Sequence, residues 1–299
     1  MFETAVRIEN GESFEENLRA KLARGDALAG TVQPILRHLL GGEGATVFGD
    51  EVLARIRGMA SHLAQQLLGG FARDRSAPLA RTLLGDPALL GHLHALALEW
   101  QLTERLEQSA AIDPVVPPLL QALLASPDPE TKDAGMKVLA AQARWCQAQR
   151  RMQLPLGELP GDLLQAALLA TRSVTPDGAP HEASIRDTYE EGASRLGLAA
   201  RLVTSLGNAA VAALDLDHAG FGLFLTALAL GSGQARDAVT LCLHEGQATR
   251  FALSLRAAGL SAAAAEQQLF RLYPDMAAPD AFARLSRDGA AALLSDAGN

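Results

Sequence analysis

The chain has 299 residues, 48% of them hydrophobic but only 4% aromatic, and a formal net charge of −8. Its apolar mass is therefore Leu and Ala, which lose little side-chain entropy in a helix, and this predicts an all-α protein. A pI near 5.4 denies it the basic footprint that releases phosphate counterions, which argues against sequence-independent nucleic-acid binding and leaves only local basic patches.

From the amino end, residues 1–40 are read as an N-terminal helical segment. Glu3, Glu9, Glu12, Glu15 and Glu16 crowd its start, and no apolar h-region follows, so no secretory signal is expected. Residues 41–172 are expected to form a helical domain with long two-faced helices, and 182–299 a C-terminal helical domain. The boundary falls at the polar break TRSVTPDGAPH, Thr171 to His181. This division follows the length prior of roughly 100–200 residues per domain.

Helix punctuation recurs along the chain at Ser13, Asp26, Asp50, Ser76, Asp86-Pro87, Asp113-Pro114, Asp128-Pro129, Pro160-Gly161-Asp162, Asp217, Ser232 and Ser261. Such side chains bond the orphan amides of a first helical turn, and a Pro just inside costs nothing there. About a dozen helices follow, and no period-two alternation predicts a strand. The longest apolar run, Phe221 to Leu230, is about half what a membrane span needs.

Two long helices argue for stacked layers. On 86–108, Leu89, Leu93, Leu96, Ala97 and Trp100 share one face, and Ala95, Leu98, Leu102 and Leu106 a broadly opposite one. On 129–153, Met136, Leu139, Ala140, Ala143 and Cys146 are expected to face one neighbour and Val138, Ala141, Trp145, Ala148 and Met152 another. Burial on two sides is what a middle-layer helix of stacked helix pairs requires, so Trp100 and Trp145 are predicted to be buried. A basic edge of Lys137, Arg144 and Arg151, spaced by sevens, runs between the two faces, with a Gln edge of Gln142, Gln149 and Gln153 beside it. The basic edge is expected to be exposed. Arg150 is expected to lean toward the core, as a snorkelling or paired side chain. After the break, helices are predicted over 184–196, 198–214, 221–230, 235–243, 248–257, 262–272 and 280–294.

The titratable residues yield no catalytic constellation. His92 and His94 are two apart and point about 200° from each other on a helix, so one metal cannot take both. His92 shares an edge with Glu99 and Thr103, which reads as a solvated or hydrogen-bonded flank. Cys242 and His244 fail by the same geometry, and Cys146 and Cys242 read as small core fillers of a reducing compartment rather than a disulfide. Gly41-Gly42-Glu43-Gly44 and Gly231-Ser232-Gly233 lie between predicted helices and read as C-caps, not phosphate loops. Glu190-Glu191 and Asp215 with Asp217 read as solvated carboxylates. No cofactor and no metal is expected.

The stretches DPALLGHLHALALEW, LLASPDPETKDAGMKVLAAQARW, QRRMQLPLGELPGDLLQ, FLTALALGSGQARDAV and ATRFALSLRAAGLS carry a resemblance. With them the chain resembles the DUF2336 family of uncharacterised bacterial proteins, beyond its first forty residues. The resemblance implies an all-helical, HEAT-like fold with no assigned activity, and it carries no catalytic residues.

These features lead to one expectation. The chain should be a cytosolic, irregular HEAT-like stack of antiparallel helix pairs that binds a macromolecule, most plausibly a protein, in regulation or assembly. Lys137, Arg144 and Arg151 are its candidate partner-binding stripe. The alternative is an enzyme or small-ligand receptor whose pocket gathers distant residues such as His92, Glu99 and Arg150. A nucleic-acid partner would require the stripe to join a larger basic patch.

Overall fold

A computed structural model of the chain describes residues 2–41, 51–69, 72–175, 179–243, 245–273 and 285–296. These residues hold fourteen α-helices and no strand. In order they are α1 (Phe2–Gly41), α2 (Glu51–Leu68), α3 (Ser76–Gly85), α4 (Pro87–Ala110), α5 (Pro118–Leu124), α6 (Pro129–Arg150) and α7 (Gly161–Val174). Then come α8 (Ala179–Thr188), α9 (Arg195–Ser205), α10 (Leu216–Ser232), α11 (Arg236–Leu241), α12 (Ala248–Ala257), α13 (Ala262–Leu272) and α14 (Arg287–Asp296). Neighbours in sequence pack as pairs, α2 with α3, α5 with α6 and α12 with α13, in an irregular, HEAT-like stack.

The caps explain where most helices start. Asp86 accepts from the amides of Ala88 and Leu89 at 2.9 and 3.0 Å, with Pro87 in the first turn of α4. Asp128 does the same for Glu130 and Thr131 at the start of α6. Ser194, Asp215 and Ser261 cap α9, α10 and α13, each cap being worth about 1 kcal/mol. Gly233, at φ 70°, ends α10 in the left-handed conformation expected of a glycine C-cap.

Several predicted starts are displaced. Ser13 and Asp26 lie inside α1, where Asp26 instead pairs with Arg250 of α12 at 2.6 Å. Asp113 caps a turn by accepting from Val115 and Val116, Asp215 takes the place of Asp217, and Ser232 closes α10. Asp50 and Gly42 to Gly44 lie outside the described residues. The helix expected over 184–196 stops at Thr188, because Ser194 is a better start and caps α9. The helix expected over 198–214 breaks at Gly207, whose φ of 54° favours glycine, and a 3-10 helix, Gly207–Leu214, leaves α9 at 119°. The last helix starts at Arg287.

Two large cores meet along α4. Toward its start, Leu89, Leu93 and Leu96 join Ile56 and Met59 of α2 and Leu164 of α7. Toward its end, Leu102 and Leu106 join Val138 of α6 and Phe224 and Phe251 of α10 and α12. Both predicted faces of α4 are thus buried, apart from half-buried Leu98. Leu18 and Leu22 of α1 close a smaller core with α12 and α14.

Helix α6 departs from the two-faced pattern. Val138, Ala141, Trp145 and Cys146 are buried, but Met136 is 50% exposed and Ala140 is also exposed. The buried arc is one stripe, and the Gln edge lies within it: Gln149 is fully buried and Gln142 half-buried. No single helix among the described residues is long and apolar enough to cross a membrane.

Candidate functional site

Charge is concentrated inside the stack at Glu99. The α-helical period places His92, Glu99 and Thr103 of α4 in one line, and all three are buried. Helices α9 and α11 bring two arginines to that line from 96 and 137 positions along the chain. Arg195 Nη1 and Nη2 donate to Glu99 Oε1 and Oε2 at 2.7 and 3.0 Å. Arg236 Nη1 and Nη2 donate to Oε2 and Oε1 at 2.8 and 2.7 Å. One buried carboxylate thus takes two bidentate forks, the strong geometry for this pairing.

Burial opposes ionisation of Glu99, but the two guanidiniums outweigh it and hold the carboxyl far below the ordinary carboxylate range. Its four charge-assisted bonds leave no free lone pair for proton transfer, so Glu99 works as a cross-link rather than a base. Arg236 is further held by Nε donation to Thr226 Oγ1 at 3.3 Å. Its neighbour Asp237 lies 2.7 Å from His92 Nδ1, so α11 meets α4 through two adjacent polar pairs. Arg195 is anchored also through its backbone amide, which donates to Glu158 Oε2 at 2.9 Å. Burial pushes the Glu158 carboxyl up, against the pull of Arg195.

A column of aromatic and cationic side chains continues from the clasp. The Arg195 guanidinium lies 4.0 Å from the centroid of the Trp145 ring. Trp145 meets Trp100 edge to face at 5.6 Å, and Arg55 covers Trp100 at 5.3 Å. Arg55 also donates to the Gln149 carbonyl and, at 2.6 Å, to Glu51. Both tryptophans are buried, as the layer argument requires. The column runs α9, α6, α4, α2, so one chain of contacts ties four helices.

The stripe on α6 lies outside this system. The Lys137 side chain is 60% exposed and pairs with Asp133 one turn earlier at 2.6 Å. Arg144 and Arg151 are exposed. Arg150 is exposed as well, contrary to its expected lean toward the core, because the Met136/Ala140 side to which it belongs is covered by no helix among the described residues. The pocket imagined from His92, Glu99 and Arg150 is therefore half right: the first two share a buried line, but Arg195 and Arg236 supply the cations.

Sequence reasoning missed Arg195 and Arg236. The signal lay in their context: Arg195 directly follows a Ser cap, and Arg236 stands in the first turn of a short helix, where helix-dipole logic disfavours a cation without a specific partner. The described residues contain no group of three or more potential metal ligands. Cys146 and Cys242 are free and buried, and burial pushes their thiols up to about 11 and about 12. His244 lies outside the described residues. Glu190, Glu191, Asp215 and Asp217 are exposed.

Comparison of the chain with protein-family models, with curated proteins and with solved structures finds no match. Fold and site together define a class: a helical-repeat-like, all-α protein of the architecture typical of protein-interaction scaffolds.

Proposed function

We propose that the chain is a non-enzymatic scaffold that binds an acidic protein partner, in regulation or assembly, through the outward face of α6. The carrying observation is the contrast within that helix. Its inner side is pinned by Trp145 and Gln149, while Lys137 beside exposed Met136 and, further along, Arg144, Arg150 and Arg151 stand exposed. A rigid helix that offers cations beside an uncovered thioether suits a partner surface carrying carboxylates and an apolar anchor. The buried arginines cannot serve this role, since Glu99 occupies them.

The resemblance to the DUF2336 family belongs to the same proposal, as does a cytoplasmic location, which two free buried thiols support. The test is affinity capture from the source cells with wild type and with R144E/R151E, beside a control reversal at exposed Arg81. Loss of a captured protein in R144E/R151E alone, and its release from wild type by moderate salt, is the expected result. An identical capture profile for all three chains would end the proposal.

A further inference from the structure

After the break that ends α9, the chain runs as a 3-10 helix for eight residues, Gly207–Leu214. Runs of more than about three or four residues in this form are uncommon, because its hydrogen bonds are poorly aligned. Its period is three, so residues three apart stand in one line, whereas an α-helix would turn each about 60° from the last. The 3-10 form therefore sets Asn208, Val211 and Leu214 in a row, and all three line one cleft of about 370 Å³. Leu230 of α10 and Arg287, the first residue of α14, line it too. The volume lies in the range of small-ligand sites.

The groups that a ligand would meet are accessible. Val211 is 53% exposed and Leu230 50%, and both border this cleft. Behind them the lining is packed and buried, as at Leu214 and Ala227, so apolar contact falls to the two exposed side chains. Asn208 and Arg287 are also exposed. Arg287 Nε donates to the Ala257 carbonyl at the end of α12, at 3.1 Å, which anchors the guanidinium. Its Nη1 and Nη2 have no partner among the described residues. A cation in the first turn of a helix is opposed by the dipole, and no carboxylate among the described residues offsets that for Arg287. The Asn208 side chain likewise makes no hydrogen bond among the described residues, and its amide offers a donor and an acceptor side by side.

We propose that this cleft binds the carboxyl end of a peptide that finishes in an aliphatic residue. Arg287 takes the terminal carboxylate through its Nη groups, the Asn208 amide bonds the last peptide group, and the aliphatic side chain lies between Val211 and Leu230. A planar carboxylate matches the open edge of a guanidinium, and a primary amide matches the N–H and C=O of a peptide group. Charge complementarity favours a free carboxyl end over an internal segment, because the cleft has one unpaired cation. The site goes beyond the scaffold reading and uses none of the α6 residues.

The probe is acetyl-alanyl-leucine, followed by calorimetry and by methyl NMR. Saturable binding is expected, with shifts at Val211 and Leu230. The carboxamide form of the same peptide, and acetyl-alanyl-serine, should each bind about tenfold more weakly, through loss of a charge-assisted pair and of apolar burial respectively. R287Q should erase the preference for the acid over the carboxamide, L230S should erase the preference for leucine over serine, and N208A should weaken the probe several-fold. Each replaces an exposed side chain, so circular dichroism should stay helical. Equal affinity for acid and carboxamide, a preference untouched by R287Q or by L230S, unchanged affinity in N208A, or no saturation at millimolar peptide would each overturn the proposal. Acetate as tight as the peptide would also overturn it, by showing an anion contact with no role for the side chain. R144E/R151E should bind the probe as wild type does, so loss of this site and loss of the scaffold reading are separable.

Discussion

Arginine plays two opposite parts in this protein. At Glu99, Arg195 and Arg236 are taken out of water and every charge meets a fork of hydrogen bonds. On α6, Arg144, Arg150 and Arg151 remain in water, and Lys137 has only a neighbour one turn away. The same residue type is thus an internal cross-link in one place and an available surface charge in the other. Desolvation makes the difference: an unpaired guanidinium inside costs several kcal/mol, whereas outside it costs almost nothing.

The sharpest way to break this comparison is to remove Glu99. Glu99→Ala should cost about 3–5 kcal/mol, because two buried cations lose the carboxylate that both of their forks bond, and urea unfolding would measure it. Replacing all three charged groups, as E99M/R195M/R236M, should recover a large share of that loss, since neither guanidinium is left stranded. A triple variant less stable than Glu99→Ala would show that the clasp is a net stabiliser and not chiefly a specificity device. Arg195→Lys should fall between, at about 1–3 kcal/mol, since an ammonium keeps the charge but loses the fork and the flat stack on Trp145. Quenched or shifted tryptophan emission should accompany it. Charge reversal at Arg144 or Arg151, by contrast, should change stability by less than about 0.5 kcal/mol.

How much of this was legible follows the same division between local and long-range causes. The all-α class, the starts of α4 and α6 and the burial of Trp100 and Trp145 could be read, because caps and helical period are local. The outer side of α6 misled for the same reason. Met136 and Ala140 look like core residues on a wheel, but whether a second helix covers them depends on elements far away in sequence. The clasp was illegible because Glu99 meets its partners across 96 and 137 residues. Nothing local distinguishes a carboxylate that will be buried and paired from one that stays in water. The edge of His92, Glu99 and Thr103 is legible, but neither its burial nor its two arginine partners are.

The pH dependence sharpens the comparison further. Glu99 is depressed in the folded state, so its contribution is complete above its ordinary value of 4.5 and is lost as the pH falls from there toward the folded value. Acid unfolding of wild type should therefore steepen below about pH 4, and E99M/R195M/R236M should lack that component. R144E/R151E should keep it. A wild-type acid limb that matches the triple variant would mean that Glu99 is not the group being protonated.

The smallest expected effect concerns the thiols, and it tests whether the interior around the clasp opens at all. Cys146 lies on α6 one residue after Trp145, and Cys242 follows α11, so each reports on a helix that the clasp holds. Burial keeps both thiols protonated, and only the thiolate reacts at an appreciable rate. A thiol reagent at neutral pH should therefore leave both cysteines unmodified for hours in wild type and in R144E/R151E, and mass spectrometry would count the adducts. In Glu99→Ala, modification should accelerate, because opening of α6 and α11 becomes more frequent as the local free energy falls. Equal labelling of wild type and Glu99→Ala would place the opening elsewhere, and the clasp would then not control access to these helices.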